Sequence, residues 1–537
     1  MAFSSGTIWE CNVLGSDLNG GGFDTNVAGF PTDGTTDANT GNTSAPVFSS
    51  ASYNFVAGDV GAWIYIKSGT SSIPGWYKIA SVASNKATLN AAIGAAVLAA
   101  GIPSTAVGIA TVGTPTTLTW GIDYSQSTTA KIAFTDMVIG GTTTQFTSIA
   151  NPVGKNFVGN IINVTSGTGF TVQRVAVVST SGTTATCDKS LGTGASTGGV
   201  GNLGGAVLSP SIPCSLTVNG SGTSQNVVWI KTGAYTVTSA STGVAGGCIN
   251  LVGTNGRVEG YGTVRGDIGT PPTLTASGIS SFAMVTTPNN SLDRVVNITC
   301  DCASLTSGRA FILGSTLGYK LTAKNATNNG FITNTGVAVL VQCVATGCST
   351  QAAFNNGTCF GCVAYSNTIT GFTSGSTNFC ISYNNSGASS DGFSLTAGSI
   401  TANCVAYNNG RHGFGVSTIN YLINCIAESN TGTGFNCTTT ANILINCAAF
   451  SNGTNLSKTG IGEQDYGFIT YTASAFVAAS SGNFALNANA GGGALLRAAG
   501  IPGITPDGFS TGYLDVGALE SRALMYLGLE MQGGMVN

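Results

Sequence analysis

Asn403-Cys404-Val405-Ala406-Tyr407-Asn408-Asn409-Gly410 is one copy of a unit that recurs through the second half of the chain. Related copies are Cys362-Val363-Ala364-Tyr365-Ser366-Asn367 and Asn424-Cys425-Ile426-Ala427-Glu428-Ser429-Asn430. Gly-Phe pairs at Gly371-Phe372, Gly392-Phe393, Gly413-Phe414 and Gly434-Phe435 keep a step of 21 residues, with a looser copy at Gly330-Phe331 and a later one at Gly467-Phe468. Cys343, Cys362, Cys380, Cys404, Cys425 and Cys447 run alongside at steps of 18 to 24. A repeat near 20 residues, rich in β-branched side chains with Gly and Asn at fixed offsets, is the pattern of a solenoid of β coils.

Alternation with period 2 assigns the faces. Cys404, Ala406, Cys425, Ala427, Cys447 and Ala449 fall on one side, small enough for a narrow coil interior. An Asn column follows each strand at Asn367, Asn385, Asn409, Asn430 and Asn452. Such amides, one rung of about 4.8 Å apart, bond to each other and to the corner backbone. The opposite side carries Val363, Tyr365, Ile381, Tyr383, Val405, Tyr407, Ile426, Glu428 and Phe450. That is an apolar stripe facing outward, and a contiguous exposed apolar surface marks an interface. Two occupants fit it, a second and third subunit along a shared axis or saccharide rings on the Tyr faces. Subunits are the expectation, because Val and Ile suit protein contacts better than sugars. A register shifted by one residue would instead bury the stripe and turn the Cys outward.

The composition agrees with an all-β chain. Of 537 residues 78 are Gly, 42% are hydrophobic and only 7% are charged, against roughly 25% charged in an ordinary soluble domain. Net charge is −3, so the basic footprint of a nucleic-acid binder is missing. The first residues have no basic stretch leading into an apolar core, so no secretory signal is expected. Ala91 to Gly113 is too rich in Ala and Gly, and too interrupted, for a membrane span; it reads as a small-residue loop. No membrane insertion is expected. The 15 Cys read as buried thiols. Cys359-Phe360-Gly361-Cys362 has metal-ligand spacing but lacks a second pair, and the chain has one His; no metal or cofactor is expected.

The front of the chain holds a different repeat. Val60-Gly61-Ala62-Trp63-Ile64-Tyr65-Ile66-Lys67-Ser68-Gly69-Thr70 matches Val158-Gly159-Asn160-Ile161-Ile162-Asn163-Val164-Thr165-Ser166-Gly167-Thr168, 98 residues later. Each copy leads into a second alternating run and a short third strand, so two duplicated small β modules are expected at 1–112 and 113–208. The solenoid follows at 209–520, and 521–537 is a C-terminal tail.

The rung at 403–410, together with Phe484-Ala485-Leu486-Asn487 and Leu514-Asp515-Val516-Gly517-Ala518-Leu519-Glu520 near the end, resembles the right-handed parallel β-helix repeats of the pectate-lyase-like superfamily. The resemblance spans about residues 225–520 and implies the fold, not the function, since that fold hosts lyases, hydrolases, adhesins and viral tailspikes. The organisation is similar to virion appendage proteins of tailed bacteriophages. This implies a non-enzymatic virion structural protein: a homotrimeric tail spike or fibre, assembled in the host cytoplasm, contacting other virion proteins and adhering to host-surface polysaccharide. The alternatives are a capsid decoration protein that stabilises the shell and a polysaccharide depolymerase of lyase or hydrolase type.

A depolymerase needs carboxylates. Glu463 and Asp465 have i, i+2 spacing but fall in an insertion between rungs, where a solvated loop is the expectation. Asp391 and His412 both precede a Gly-Phe pair on successive rungs, which stacks them about 5 Å apart and within reach of an Asp–His hydrogen bond. Thr370 and Thr433 share that column, so the sequence favours a surface turn over a catalytic pair.

Overall fold

The structure, a computed structural model, describes residues 6–37, 45–93, 114–215, 227–237, 247–250, 256–277, 283–287, 293–303, 305, 308–333, 338–373, 375–396, 398–417, 420–437, 442–458, 464–497, 499–500 and 515–517. Residues 94–113 of the loop expected over 91–113, Glu463 and the tail at 521–537 lie outside them. The chain divides into two units, residues 1–231 and 232–537.

The first unit is built from two closed barrels of matching strand order. One consists of Gly34–Thr36, Val47–Ser50, Trp63–Thr70, Gly75–Ala83, Lys86–Leu89 and Thr116–Asp123. The other consists of Ile132–Ile139, Gln145–Thr147, Ile161–Ser166, Gln173–Ser181, Thr184–Cys187 and Gly199–Leu203. Alternation points Ile64, Ile66, Ile79 and Trp120 into one core, and Ile162, Val164, Val175 and Phe134 into the other; all are fully buried. In both copies a 3-10 turn (Ala57–Asp59, Lys155–Phe157) precedes Val-Gly, and both glycines, Gly61 and Gly159, sit at φ +90°, a conformation that favours Gly. The first barrel runs through Asp123 rather than ending at 112, because Thr116–Asp123 pairs with Trp63–Thr70 and closes it. Thr7–Cys11 belongs to neither barrel; it pairs parallel with Val227–Lys231 and antiparallel with Gly22–Asp24.

The second unit is the right-handed parallel β-helix, all-β as expected. Each coil gives one strand to each of three parallel sheets, named here for their characteristic side chains. The Leu sheet runs from Arg257–Tyr261 to Gln464–Tyr466, the Tyr sheet from Ala234–Val237 to Ile469–Thr470, and the Phe sheet from Gly247–Asn250 to Thr454–Lys458. One rung shows how the sequence turns. Ile400–Ala402 ends at Asn403 (φ +52°), Val405–Tyr407 follows, Asn408 (φ +49°) turns the chain again, and Phe414–Val416 completes the coil. The left-handed corners recur at Gln342, Asn424 and Asn446, and at Asn325, Asn384 and Ser429. Asn is the non-Gly residue that tolerates this region best, because its amide bonds locally to the backbone.

Cys404, Ala406, Cys425 and Ala427 are fully buried in the coil, and the fourteen described Cys are all free thiols. Their Sγ atoms donate to carbonyls one rung back, as Cys362 does to Leu340 (3.3 Å) and Cys447 to Leu422 (3.4 Å). Burial pushes the Cys343, Cys380 and Cys425 thiols well above the ordinary range. The Asn column is a continuous amide ladder. Nδ2 of Asn367, Asn385, Asn409 and Asn430 donates to Oδ1 of the next Asn at 2.8–2.9 Å, ending at Asn452. Phe311, Phe331, Phe354, Phe372, Phe393, Phe414 and Phe435 stack with centroids 4.6–4.9 Å apart and planes within 8°. The Gly before each Phe makes room for the ladder: a Cβ on Gly413 would lie 2.6 Å from the Gly434 carbonyl and 2.9 Å from Asn430 Nδ2. Gly467-Phe468 is not a copy of this pair. Gly467 occupies the left-handed corner between Gln464–Tyr466 and Ile469–Thr470.

Candidate functional site

The three sheets present different outer faces. On the Tyr sheet the stripe does point away from the coil, yet it is not open. Residues 471–497 and 515–517 lie over it, so Tyr471, Phe476, Phe484, Leu486, Leu496 and Val516 pack on Ile381, Val405 and Ile426 with Val363, Tyr383, Tyr407 and Phe450 at the margin. Tyr365 stacks on Tyr383 at 5.2 Å. Glu428, which breaks the apolar run, is 1% exposed and receives Tyr471 Oη (3.0 Å), Ser474 Oγ (2.6 Å) and the Ala475 amide (3.0 Å). The expected seam between subunits is therefore corrected: the chain covers these residues itself. Alternation gave their direction correctly but carried no information about a segment 50 to 100 residues downstream.

Exposed apolar side chains lie instead on the Leu sheet, where Val339, Ile400, Tyr421 and Tyr466 are 38–54% exposed. The later rungs of the Phe sheet are polar. Their outward positions are Asn355, Thr373, Ser394, Gly415, Asn436 and Ser457, half-buried throughout, preceded in the same column by Ile312 and Ile332. Beside them runs a column of Thr370, Asp391, His412, Thr433 and Thr454. In the middle of these rungs sits a cluster of three ionisable residues, Asp391, Arg411 and His412.

Asp391 and His412 do stack on adjacent rungs, but Asp391 does not bond the imidazole. Its carboxylate takes Arg411 side-on, Nε at 2.7 Å and Nη2 at 2.6 Å, and the His412 backbone amide at 3.2 Å. Asp391 is 1% exposed, while the Arg411 side chain is 43% exposed. Of the five guanidinium donors the Nε–Nη2 edge is thus committed to Asp391, and the Nη1 donors are left over on a side chain that is 43% exposed. Gly415 makes the space: a Cβ there would lie 2.6 Å from Asp391 Oδ2. The His412 ring is clamped separately. Nδ1 accepts the Thr433 amide at 3.0 Å, and Nε2 lies 3.2 Å from the Asn436 amide. An Nδ1 that accepts leaves the neutral imidazole with its proton on Nε2, facing the Asn436 carbonyl oxygen in the complementary amide orientation. Desolvation lowers the His412 pKa, opposed by Asp391 and assisted by Arg411. The hydrogen bond to Asp391 holds Arg411 firmly charged.

Arg411, Asn436 and Gly415 were missed in the sequence. Arg411 was legible, since it stands 20 residues from Asp391 and one coil is about that long. Asp465 lies on the last Leu-sheet strand rather than in a loop, because Gln464–Tyr466 pairs with Ile443–Ile445, and it bonds Lys458 at 2.8 Å. Glu259 is held by Arg257 (2.6 Å) and Arg294 (3.5 Å), and Asp267 by the amides of Gly262, Thr263 and Val264. Among the described residues no His, Cys, Asp and Glu side chains cluster in a metal-ligand set.

No family model and no curated protein matches the chain. Solved structures do. Pectate lyase Pel9A matches at 16% identity, covering 55% of this chain and 87% of its own, with a TM-score of 0.34. The periplasmic alginate epimerase AlgG matches at 11%, covering 46% and 77%, with a TM-score of 0.29. The A-module of Azotobacter vinelandii mannuronan C-5 epimerase AlgE4 matches at 14%, covering 46% and 88%, with a TM-score of 0.26. At these levels the likeness says nothing about the activity of this chain, and the β-helix assignment stands on its own sheet topology. The organisational resemblance drawn from the sequence finds no support among these structures. All three are enzymes by name, and none is a spike, fibre or capsid protein. The non-enzymatic virion reading is withdrawn, along with its trimer, its virion partners, its capsid alternative and its virion location. The covered Tyr stripe removes the surface on which the trimer rested.

Proposed function

We propose that the protein acts on an acidic polysaccharide laid across the rungs on the outer face of the Phe sheet. The observation that carries this is the contrast among the three outer faces. One is covered by the chain itself, one is apolar, and the third is a lattice of short hydroxyl and amide side chains around one exposed guanidinium. Such groups recognise a hydroxyl-rich chain, and the Nη1 edge of Arg411, aimed by Asp391, is suited to a sugar carboxylate. Hydrolysis requires two carboxylates about 5–9.5 Å apart, and Asp391 is the single described carboxylate of this face. The reaction class that fits is loss of the proton on the carbon bearing the carboxylate. A solvent base takes the proton, and the C–H electron pair moves into the carboxylate to give an enediolate whose charge Arg411 stabilises. That pair then either takes a proton back at the same carbon or expels the 4-O-glycosyl group, which is protonated by water.

The test is incubation with a panel of polyuronates and neutral glucans, read by the ultraviolet absorbance of an unsaturated uronate and by deuterium uptake at C5. Turnover of a polyuronate is expected, falling about 100-fold in Arg411→Ala and less in Arg411→Lys. Turnover of neutral glucans alone, silence on every polyuronate, or an unchanged Arg411→Ala variant would remove the proposal.

A further inference from the structure

The duplicated barrels contain their own control. At the end of the matching 3-10 turn the second barrel places Phe157, buried in its core 5.9 Å from Phe134. The first barrel places Asp59 at the same point, and Asp59 is fully buried. It accepts Tyr53 Oη (2.8 Å), Tyr124 Oη (2.8 Å), the Val56 amide (3.0 Å) and Lys131 Nζ (2.7 Å). Lys131 also donates to the Gly58 carbonyl (2.8 Å) and lies 4.7 Å above the Tyr124 ring. Replacing a buried ion pair by apolar groups is often neutral or stabilising, and the twin shows that this turn accepts a Phe. The charged network is thus not required by the fold.

Beside it is a cavity of about 190 Å³, lined by Gly58, Val60, Ala62, Gln126, Ser127 and Lys131. The volume falls below the range of drug-sized ligand sites and suits one small ring. We infer that this cavity binds a single neutral sugar unit, with the Asp59–Lys131 pair fixing the donor that meets it. Lys131 has three donors, of which Asp59 and Gly58 take two, so one N–H remains. Its charge is balanced by Asp59, so an anion gains no surplus attraction there. Gln126 and Ser127 both donate and accept, as a hydroxyl does, and half-exposed Val60 offers an apolar wall to the ring's C–H face. The first unit then carries a carbohydrate contact separate from the Phe-sheet face, and the second barrel, with Phe157, lacks it.

The full-length protein is titrated with glucose, galactose, mannose and glucuronate, with binding followed by saturation-transfer NMR. At least one neutral hexose is expected to bind with a Kd near ~10 mM, more tightly than glucuronate. Ala62→Phe fills the cavity and leaves the ion pair; the double change Asp59→Phe with Lys131→Met copies the apolar solution of the twin. Both are expected to weaken binding at least about tenfold. If the double variant does not fold, Ala62→Phe alone decides. No neutral hexose bound at ~50 mM, tighter binding of glucuronate, or an Ala62→Phe variant that binds like wild type would overturn the inference. A polyuronate activity that persists while hexose binding fails separates this site from the Phe-sheet proposal.

Discussion

Asn409→Ala removes the middle of the amide ladder. Asn409 is fully buried. Its Nδ2 donates to Asn430 Oδ1 (2.9 Å) and the Ser382 carbonyl (3.1 Å), and its Oδ1 accepts Asn385 Nδ2 (2.8 Å) and the Asn385 amide (3.4 Å). Truncation breaks all four bonds. Asn385 Nδ2 keeps Ser382 Oγ at 3.0 Å, and Asn430 Oδ1 keeps the Asn409 backbone amide at 3.0 Å. The Asn385 amide and the Ser382 carbonyl each lose a buried partner. With about 1 kcal/mol for each of the two bonds that are partly replaced and 1–3 kcal/mol for each of the two buried groups left unsatisfied, the cost is about 4–8 kcal/mol. Asn452 makes similar bonds at the end of the ladder but is half-exposed, so water substitutes and Asn452→Ala costs about 1 kcal/mol. In urea, with a slope of about 3 kcal/mol/M, the two midpoints should differ by about 1–2 M. Because a solenoid can open in parts, far-UV circular dichroism is paired with hydrogen exchange of the 400–416 rung. Equal midpoints for the two variants would show that the ladder is not a shared buried network and would refute the reasoning.

The remaining predictions concern the stack, the imidazole and the thiols. Phe393→Ala removes a ring that contacts neighbours at 4.8 Å on both sides and should cost about 3–5 kcal/mol, against less than about 1.5 kcal/mol for Phe393→Leu, measured by the same unfolding. His412 has a lowered folded pKa, so the unfolded chain binds more protons in the window just below the ordinary value of 6.5. Its contribution to stability is complete above that value and is lost as pH falls through the folded pKa. Melting from pH 8 to pH 5 should show a pH-dependent loss that is smaller in His412→Asn. The fourteen described thiols are buried and desolvated, so a thiol reagent should leave them unlabelled in the native protein and react on denaturation; rapid native labelling of the Cys343–Cys447 column, read by peptide mass, would contradict the burial.

The rung was legible because its signals are local and reinforce one another. Period 2 in Cys404-Val405-Ala406-Tyr407 gives the faces, Asn403 and Asn408 supply left-handed corners, and Asn409 supplies the inward amide. Gly413 before Phe414 reads as a motif because the ladder forbids a Cβ there. What was not legible depends on distant sequence. Nothing within Ile381, Val405 and Ile426 says that Phe476 and Phe484 cover them, and nothing in Asp391 says whether Arg411 or His412 takes its carboxylate. The choice rests on side-chain length. Arg411 reaches back across one rung, whereas the imidazole is drawn forward to the Thr433 amide. The paired role of Asp59 was equally hidden, because its partners Tyr53, Tyr124 and Lys131 are spread over 78 residues and become neighbours only when the barrel closes.

The outer faces also explain how a chain with 7% charge distributes its work. A β-helix coil has a thin interior, so much of its apolar content must face outward on at least one side. Here the chain's own residues 471–497 and 515–517 take up the Tyr-sheet face, with Glu428 as the polar anchor that three donors satisfy. That leaves the Phe sheet free to be polar without loss of stability, because its inner face is already secured by the Phe stack and the Asn ladder. A small polar surface on a rigid lattice is a poor protein–protein interface and a good template for a hydroxyl-rich chain whose units repeat on the scale of the rungs. The ion pair set into its middle rungs then gains specificity from isolation: Arg411 is the only described cation among the rungs 391–436, so under the proposed reading a sugar carboxylate on those rungs has one place to register.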